Sequence, residues 1–473
     1  MIKSQKISFE VKLRILSEIF IKISSFFIIP VITYNLGIDD YGIYIIVISI
    51  VSGMMPIFLL GLNFTVVKKL AVEKKIKNNV IKLSSSFFLI TILFSGSLAF
   101  IFPLIYLMFR EFFYLALVAL IFTYCSSLQI IILEFLRSKL QSNIFSIFQI
   151  IDSLMIIILI YLCVSFLNFN LFLLFKILIF TKIFITIIIL IYLKKLNLIN
   201  YSDINLDKNL FADYLKPGII FIILGLTEWL VNFSDKLIIS ITSSSLTLGI
   251  YFTVGIFASS INSLGSIYWW DLYPKLSKLN SEGKTSAIFE LIQSKTQLFI
   301  KNSFFLIITL VVLSPTLQSL ILNKNIEIEL YIYFLFFIAI FFHQISSGWE
   351  FFCYIQNNGN RVFITSVVWG IISLILYLVL IPLFSINGAL ISLLLSKLGY
   401  TLTLKYFAKA SGFNESIFLR NKFITFIPFS LIIVVLLFLD YNILITPGLN
   451  LYSVLFLTIS FIIIYWPSKF DSK

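Results

Sequence analysis

Apolar runs of about 20 residues recur along the whole chain, parted by short polar loops. Each run is long enough to cross about 30 Å of hydrocarbon as a helix, where every backbone polar group is satisfied within the segment. Their borders predict about fourteen helices, at 14–36, 42–67, 84–108, 112–134, 144–166, 171–193, 216–240, 247–272, 297–320, 329–352, 362–384, 387–407, 423–441 and 450–466. None reads as a barrel strand, which alternates apolar and polar positions over about 10 residues. The predicted fold class is an all-α polytopic membrane protein.

The lysines and arginines fall in every second loop. Lys3, Lys6, Lys12 and Arg14 precede the first run. The next loop, 37–42, holds Asp39 and Asp40 and no base. The loop after it carries Lys68, Lys69, Lys74, Lys75, Lys77 and Lys82. About 28 of the 35 bases fall on one side, about two on the other and about five inside the membrane. Cytoplasmic loops carry such an excess, so both termini are expected in the cytoplasm. The basic N-terminus leads into a long apolar run without a small-x-small site, which predicts a retained first helix rather than a cleaved signal.

A charge of +13 suggests nucleic acid in a soluble protein, but here no polar domain could carry it. The bases set topology and meet anionic headgroups, so the bilayer is the expected partner and nucleic acid is not. Cys125, Cys163 and Cys353 lie in apolar runs without metal-ligand spacing and read as small buried side chains. Walker A, His-Glu-x-x-His and Gly-x-Ser-x-Gly sequences are absent, so no catalytic residue, metal or bound cofactor is expected. External loops are too short for a catalytic domain. Segment 281–297 is expected as a cytoplasmic surface helix, and Trp269-Trp270-Asp271-Leu272-Tyr273-Pro274 as an aromatic belt that ends a helix.

A repeat is visible. Gly42-Ile43-Tyr44 opens the second helix and Gly249-Ile250-Tyr251 the eighth, each at the external start of a helix running inward. Two six-helix lobes of like orientation follow, related by an axis along the membrane normal. The expected organisation is an N-terminal lobe at 1–195, a cytoplasmic linker at 196–215, a second lobe at 216–410, and an appended helix pair with a cytoplasmic tail at 411–473. Repeated lobes suit transport by alternating access.

Ionisable groups at membrane depth cost at least about 2.5–3.5 kcal/mol, so each needs a partner, a cavity or a function. Glu18 and Lys22 are one turn apart and can pair. Lys176 lies near the external end of its helix and can snorkel, whereas Lys182 is near mid-depth, and Asp152 is an available partner for one of them. Lys397 lies near mid-depth in the corresponding helix of the second lobe. Two lobes would thus each offer a cation to a shared cavity, with helix-to-helix pairing as the alternative. Glu228 and Asp235 are seven apart and share a helical face, from which Lys236 turns away by about 100°. His343, the chain's one histidine, and Glu350 are also seven apart and could exchange protons. Ion-coupling or cavity-pairing roles are therefore open to Glu18, Asp152, Glu228, Asp235, His343 and Glu350.

The external turn Leu36-Gly37-Ile38-Asp39-Asp40-Tyr41-Gly42-Ile43-Tyr44 resembles the first loop of polysaccharide flippases of the Wzx type. Asn232-Phe233-Ser234-Asp235-Lys236 followed by Leu248-Gly249-Ile250-Tyr251 resembles that family's second-lobe signature. The family belongs to the multidrug/oligosaccharidyl-lipid/polysaccharide exporter superfamily. The resemblance implies flipping of undecaprenyl-pyrophosphate-linked oligosaccharide units from the cytoplasmic to the periplasmic leaflet of the bacterial inner membrane. It implies a role in O-antigen, lipopolysaccharide or other surface polysaccharide synthesis, with a polymerase and a chain-length regulator as partners. Coupling to an H⁺ or Na⁺ gradient is a further implication. The eighth-helix cation of related peptidoglycan-precursor flippases has no counterpart here. A diphosphate in a low-dielectric passage needs cationic partners, and Lys22, Lys182 and Lys397 are the candidates. Two alternatives stay open: a drug or organic-cation antiporter of the same superfamily, and an integral-membrane glycan polymerase.

Overall fold

The computed structural model describes residues 9–62, 85, 87–97, 113–138, 142–197, 199, 208–269, 272–321, 328–356 and 358–413. These residues are almost wholly helical, with no strand among them, in agreement with the predicted class. Nine of the described helices are long and apolar enough to cross a membrane, or ten if one bent pair counts as a single span. The two expected C-terminal helices, 423–441 and 450–466, lie outside the described residues.

The chain forms two compact units, Met1–Ser240 and Ile241–Lys473. The first contains α1 (Phe9–Asn35), α2 (Ile38–Leu59), α3 (Phe87–Ser97), α4 (Phe113–Ser138), α5 (Ser142–Phe166), α6 (Leu171–Lys195), α7 (Lys208–Asn232) and most of α8 (Ser234–Thr242). Only the first part of the expected third helix, 84–108, falls among described residues. The turn from α1 into α2 passes through Gly37 at φ 100°, a left-handed conformation that disfavours a Cβ. Asp39 and Asp40 follow in the first turn of α2, where the helix dipole favours negative charge.

Helix α1 packs on α5, α2 on α4 and α7, and α6 on α4 and α5. A buried cluster including Phe58, Leu62, Ile90, Phe135, Leu136, Phe148, Ile185 and Ile189 joins α2, α3, α4, α5 and α6. The expected single helix over 216–240 is instead broken. Regular helix stops at Asn232 and resumes at Ser234, and the two pieces bend by 42°.

The second unit contains α9 (Ser245–Trp269), α10 (Leu272–Ser281), α11 (Thr285–Ile321), α12 (Leu330–Ile355) and α13 (Gly359–Ala410). Helix α12 packs against α9, α10, α11 and α13. The expected surface helix over 281–297 is corrected: its first residues form the turn after α10, and the rest are the start of the long α11. The helix extends further toward the N-terminus than the apolar run does, because Glu290, Lys295 and Lys301 lie in its first half. Trp269 is the last residue of its helix, in agreement with the expected helix stop. It is 6% exposed, with its ring 5.7 Å from that of Phe299.

Helix α13 has 52 residues, too long for one crossing at 1.5 Å per residue. Ser385 interrupts it at φ 50°, ψ −125°. Trp369 Nε1 donates to Thr403 Oγ1 at 3.0 Å, 34 residues away, so the chain folds back at Ser385 into a hairpin. This agrees with the two helices expected at 362–384 and 387–407. Glycine makes the hairpin close: a Cβ on Gly399 would lie 1.9 Å from the Trp369 ring. Ser243 and Ser385 hydroxyls meet at 3.1 Å, and Tyr331 donates to Asn387 at 2.7 Å, beside the turn.

Candidate membrane charge sites

Arg14, Glu18 and Lys22 recur at four-residue spacing on α1 and therefore share one stripe. Arg14, expected in the leading loop, lies inside the helix with its side chain 16% exposed. Its guanidinium pairs with Glu18 and donates from Nη1 to Gln149 Oε1 of α5 at 2.6 Å. The Phe145 ring lies 5.5 Å from the guanidinium carbon. Lys22, half-buried, is in electrostatic range of Glu18. Glu18 thus serves two cations rather than the one expected. On α4, Arg137 and Glu134 pair at 2.8 Å within electrostatic range of Arg14. Sequence reasoning did not single out Arg14, Gln149, Glu134 or Arg137. The i, i+4, i+8 series on α1 was the legible signal for Arg14.

Lys182 of α6 donates to Asp152 Oδ2 of α5 at 2.6 Å, with 17% and 15% of the two side chains exposed. The pairing left open between Lys176 and Lys182 is resolved: Lys176 stands on the exposed face. Asp152 Oδ1 has no hydrogen-bond partner among the described residues.

Glu228 and Asp235 do not share a helical face. The helix breaks between them, leaving Glu228 exposed and Asp235 1% exposed. The break also corrects the expectation that Lys236 turns away from Asp235. Lys236 Nζ lies 3.2 Å from Asp235 Oδ1, bonds the Asn232 carbonyl, and sits 4.9 Å from the Phe233 ring centroid. A cation thereby meets the C-terminal end of α7 while a carboxylate meets the N-terminal turn of α8, both favoured by the helix dipoles.

In the second unit, Lys397 is 2% exposed on α13, one turn from Tyr400 and Thr401. Thr401 donates to the Phe342 carbonyl of α12 at 3.0 Å. The adjacent His343 ring lies 5.4 Å from that of Tyr400 and within electrostatic range of Lys397. The structure therefore brings together two candidates that the sequence placed on separate helices. His343 Nδ1 is buried without a partner among the described residues. Glu350 is half-buried further along α12. A polar contact that sequence reasoning missed joins Gln344 Nε2 to Asn262 Oδ1 of α9 at 2.9 Å. It needs Gly265, where a Cβ would lie 2.0 Å from Gln344 Oε1. Among the described residues, no group of three or more His, Cys, Asp and Glu could hold a metal.

Apolar spans with paired or clustered charges inside them suit polar cargo more than a static bundle. The family described as "Polysaccharide biosynthesis protein" matches residues 11–280, more than half of the chain. No curated protein matches the sequence. Among solved structures, the lipid II flippase MurJ in an inward closed conformation superposes with a TM-score of 0.69 at 14% identity, covering 96% of this chain and 97% of its own. An inward-facing multidrug resistance MATE family transporter of the MOP superfamily gives 0.62 at 11% identity, covering 89% and 98%. A MOP superfamily transporter from Pyrococcus furiosus, described by the reverse polarity of its binding pocket, gives 0.52 at 13% identity, covering 86% and 98%. At these identities the likeness establishes the fold, which is shared with the MurJ and MATE structures.

Proposed function

We propose that this chain, which belongs to the polysaccharide biosynthesis protein family, flips undecaprenyl-pyrophosphate-linked oligosaccharide units from the cytoplasmic to the periplasmic leaflet. The observation that carries this reading is Lys182, an ammonium held inside a membrane helix by an ion pair. A diphosphate entering low dielectric needs such cations, and it can exchange with the carboxylate that neutralises them in its absence. Lys182 paired with Asp152, Lys22 near Glu18, and Lys397 near His343 are the proposed diphosphate contacts. Ser, Thr, Asn and Gln side chains on the helices supply hydrogen bonds for sugars.

The setting is the bacterial inner membrane, and the product is O-antigen, lipopolysaccharide or another surface polysaccharide. Polymerase and chain-length regulator are its proposed partners, and an H⁺ or Na⁺ gradient its drive. A drug or organic-cation antiporter would need buried carboxylates free for its cargo. In the second unit, the buried charged side chain among the described residues is instead Lys397.

Deletion with complementation tests the reading. The deletion strain should lose surface polysaccharide and keep lipid-linked units on the cytoplasmic face, and the intact gene should restore export. Unaltered surface glycan in a strain without redundant flippases would sink it. Collapsing the proton and sodium gradients separately in the complemented strain identifies the drive.

A further inference from the structure

Asn262 of α9 and Gln344 of α12 lie well inside two apolar helices of membrane-spanning length. Both are half-buried, and Gln344 Nε2 donates to Asn262 Oδ1 at 2.9 Å. That bond leaves the Asn262 NH2 and the Gln344 carbonyl oxygen without a further partner among the described residues, and neither atom is fully buried. Turning both amides over exchanges the roles and leaves the same remainder, one NH2 and one carbonyl oxygen. The hydroxyls that flank Asn262 on α9 are used within their own helix. Ser259 donates to the Ile256 carbonyl at 2.6 Å and Ser266 to the Ser263 carbonyl at 2.8 Å.

Gly265 fixes where Gln344 stands. A Cβ there would lie 2.0 Å from Gln344 Oε1 and 2.7 Å from Gln344 Cδ, so a larger residue would push the amide away. Packed against α9, the glutamine loses rotamer freedom before any cargo arrives. An amide edge left over inside an apolar span is costly against lipid, which answers neither donor nor acceptor. The remainder is also chemically selective. A hydroxyl both donates and accepts, so it satisfies an NH2 and a carbonyl oxygen together. A diphosphate only accepts and is repelled by the carbonyl oxygen, and an organic ammonium only donates and is repelled by the NH2.

We infer that Asn262 and Gln344 form a sugar-hydroxyl subsite, which reads the glycan of the cargo rather than its diphosphate, and that Gly265 is the positioning residue of that subsite. The inference rests on the flippase reading above and adds a recognition element for the neutral part of the same cargo. Gln344 directly follows His343, which is in electrostatic range of Lys397, so the subsite is placed to meet a sugar close to the diphosphate.

Binding to the full chain in nanodiscs tests it with two probes: the lipid-linked units extracted from the deletion strain, and undecaprenyl pyrophosphate, which lacks the sugars. The parent should bind the units about tenfold more tightly, as two hydrogen bonds allow. Asn262→Leu/Gln344→Leu replaces both bonded partners by apolar groups of similar shape and strands neither. The double variant should lose most of that preference and bind undecaprenyl pyrophosphate within about twofold of the parent, because the charge sites are separate. Gly265→Ala keeps both amides and displaces Gln344, so it should lose the preference in the same way, and it decides the question if the leucine pair does not fold. The parental preference in either folded variant would overturn the inference and leave the amides a clamp between α9 and α12. Equal weakening of both probes, which a purely structural role predicts, would overturn it as well. A parent that binds both probes equally loses the subsite alone, whereas a parent that binds neither loses the flippase reading.

Discussion

Lys182→Ala separates stability from transport. Removing one partner of a buried ion pair costs about 3–5 kcal/mol, whereas an exposed pair is worth about 0–1 kcal/mol. The Lys182–Asp152 pair is 17% and 15% exposed, nearer the buried limit. Asp152 Oδ1 already has no described hydrogen-bond partner, so loss of the 2.6 Å contact would strand the carboxylate. Lys182→Ala should therefore cost about 3 kcal/mol, or about two factors of ten in the folded-to-unfolded ratio. The double variant Asp152→Leu/Lys182→Met replaces the pair by apolar groups and should return to within about 1 kcal/mol of the parent. Thermal unfolding in nanodiscs reads the stability, and surface glycan per unit of membrane protein reads the transport. The single variant should be destabilised and inactive, and the double variant stable and inactive, because the diphosphate contact is still missing. A double variant with full export would remove Lys182 from the anion site. A single variant as stable as the parent would refute the energetic reasoning.

Two further perturbations address the second unit and the broken span. Lys397→Met keeps much of the apolar stem, so membrane abundance should hold while export falls about tenfold or more; export at the parental level would exclude Lys397 as a diphosphate contact. Asp235→Ala and Lys236→Ala each strand a buried opposite charge and should each lower stability by about 3–5 kcal/mol, while the double alanine variant costs less than the sum; additive losses in a double-mutant cycle would show that the two side chains are not coupled.

Much of the fold was legible because hydrophobicity sums locally. A run of about 20 apolar residues declares a span whatever it packs against. The hairpin at Ser385 was legible for the same reason, as two runs with polar residues between them. Asp152 was also readable as a partner of Lys176 or Lys182, because few carboxylates lie at membrane depth, and the structure chose Lys182. The pairing of Asp235 with Lys236 was not, because a one-residue break alters a helical register of about 100° per residue. The burial of Arg14 was hidden for another reason. Its place at the cytoplasmic border reads as topology, and only the approach of Gln149 from α5 shows that it is paired inside the unit.

By itself, the sequence determined that the protein is a bundle of membrane helices, where most of them begin and end, and which charges lie too deep to serve topology alone. Tertiary structure decided which charges meet: Arg14 with Glu18 and Gln149, Lys182 with Asp152, Lys236 with Asp235, and Lys397 beside His343. It also decided that α7 lies against α2 through Gly53, Gly218 and Gly225. The physical reason is that span formation depends on the transfer of a local segment into lipid. Pairing and packing depend instead on how each helix is rotated about its axis, which is set by residues distant in the chain.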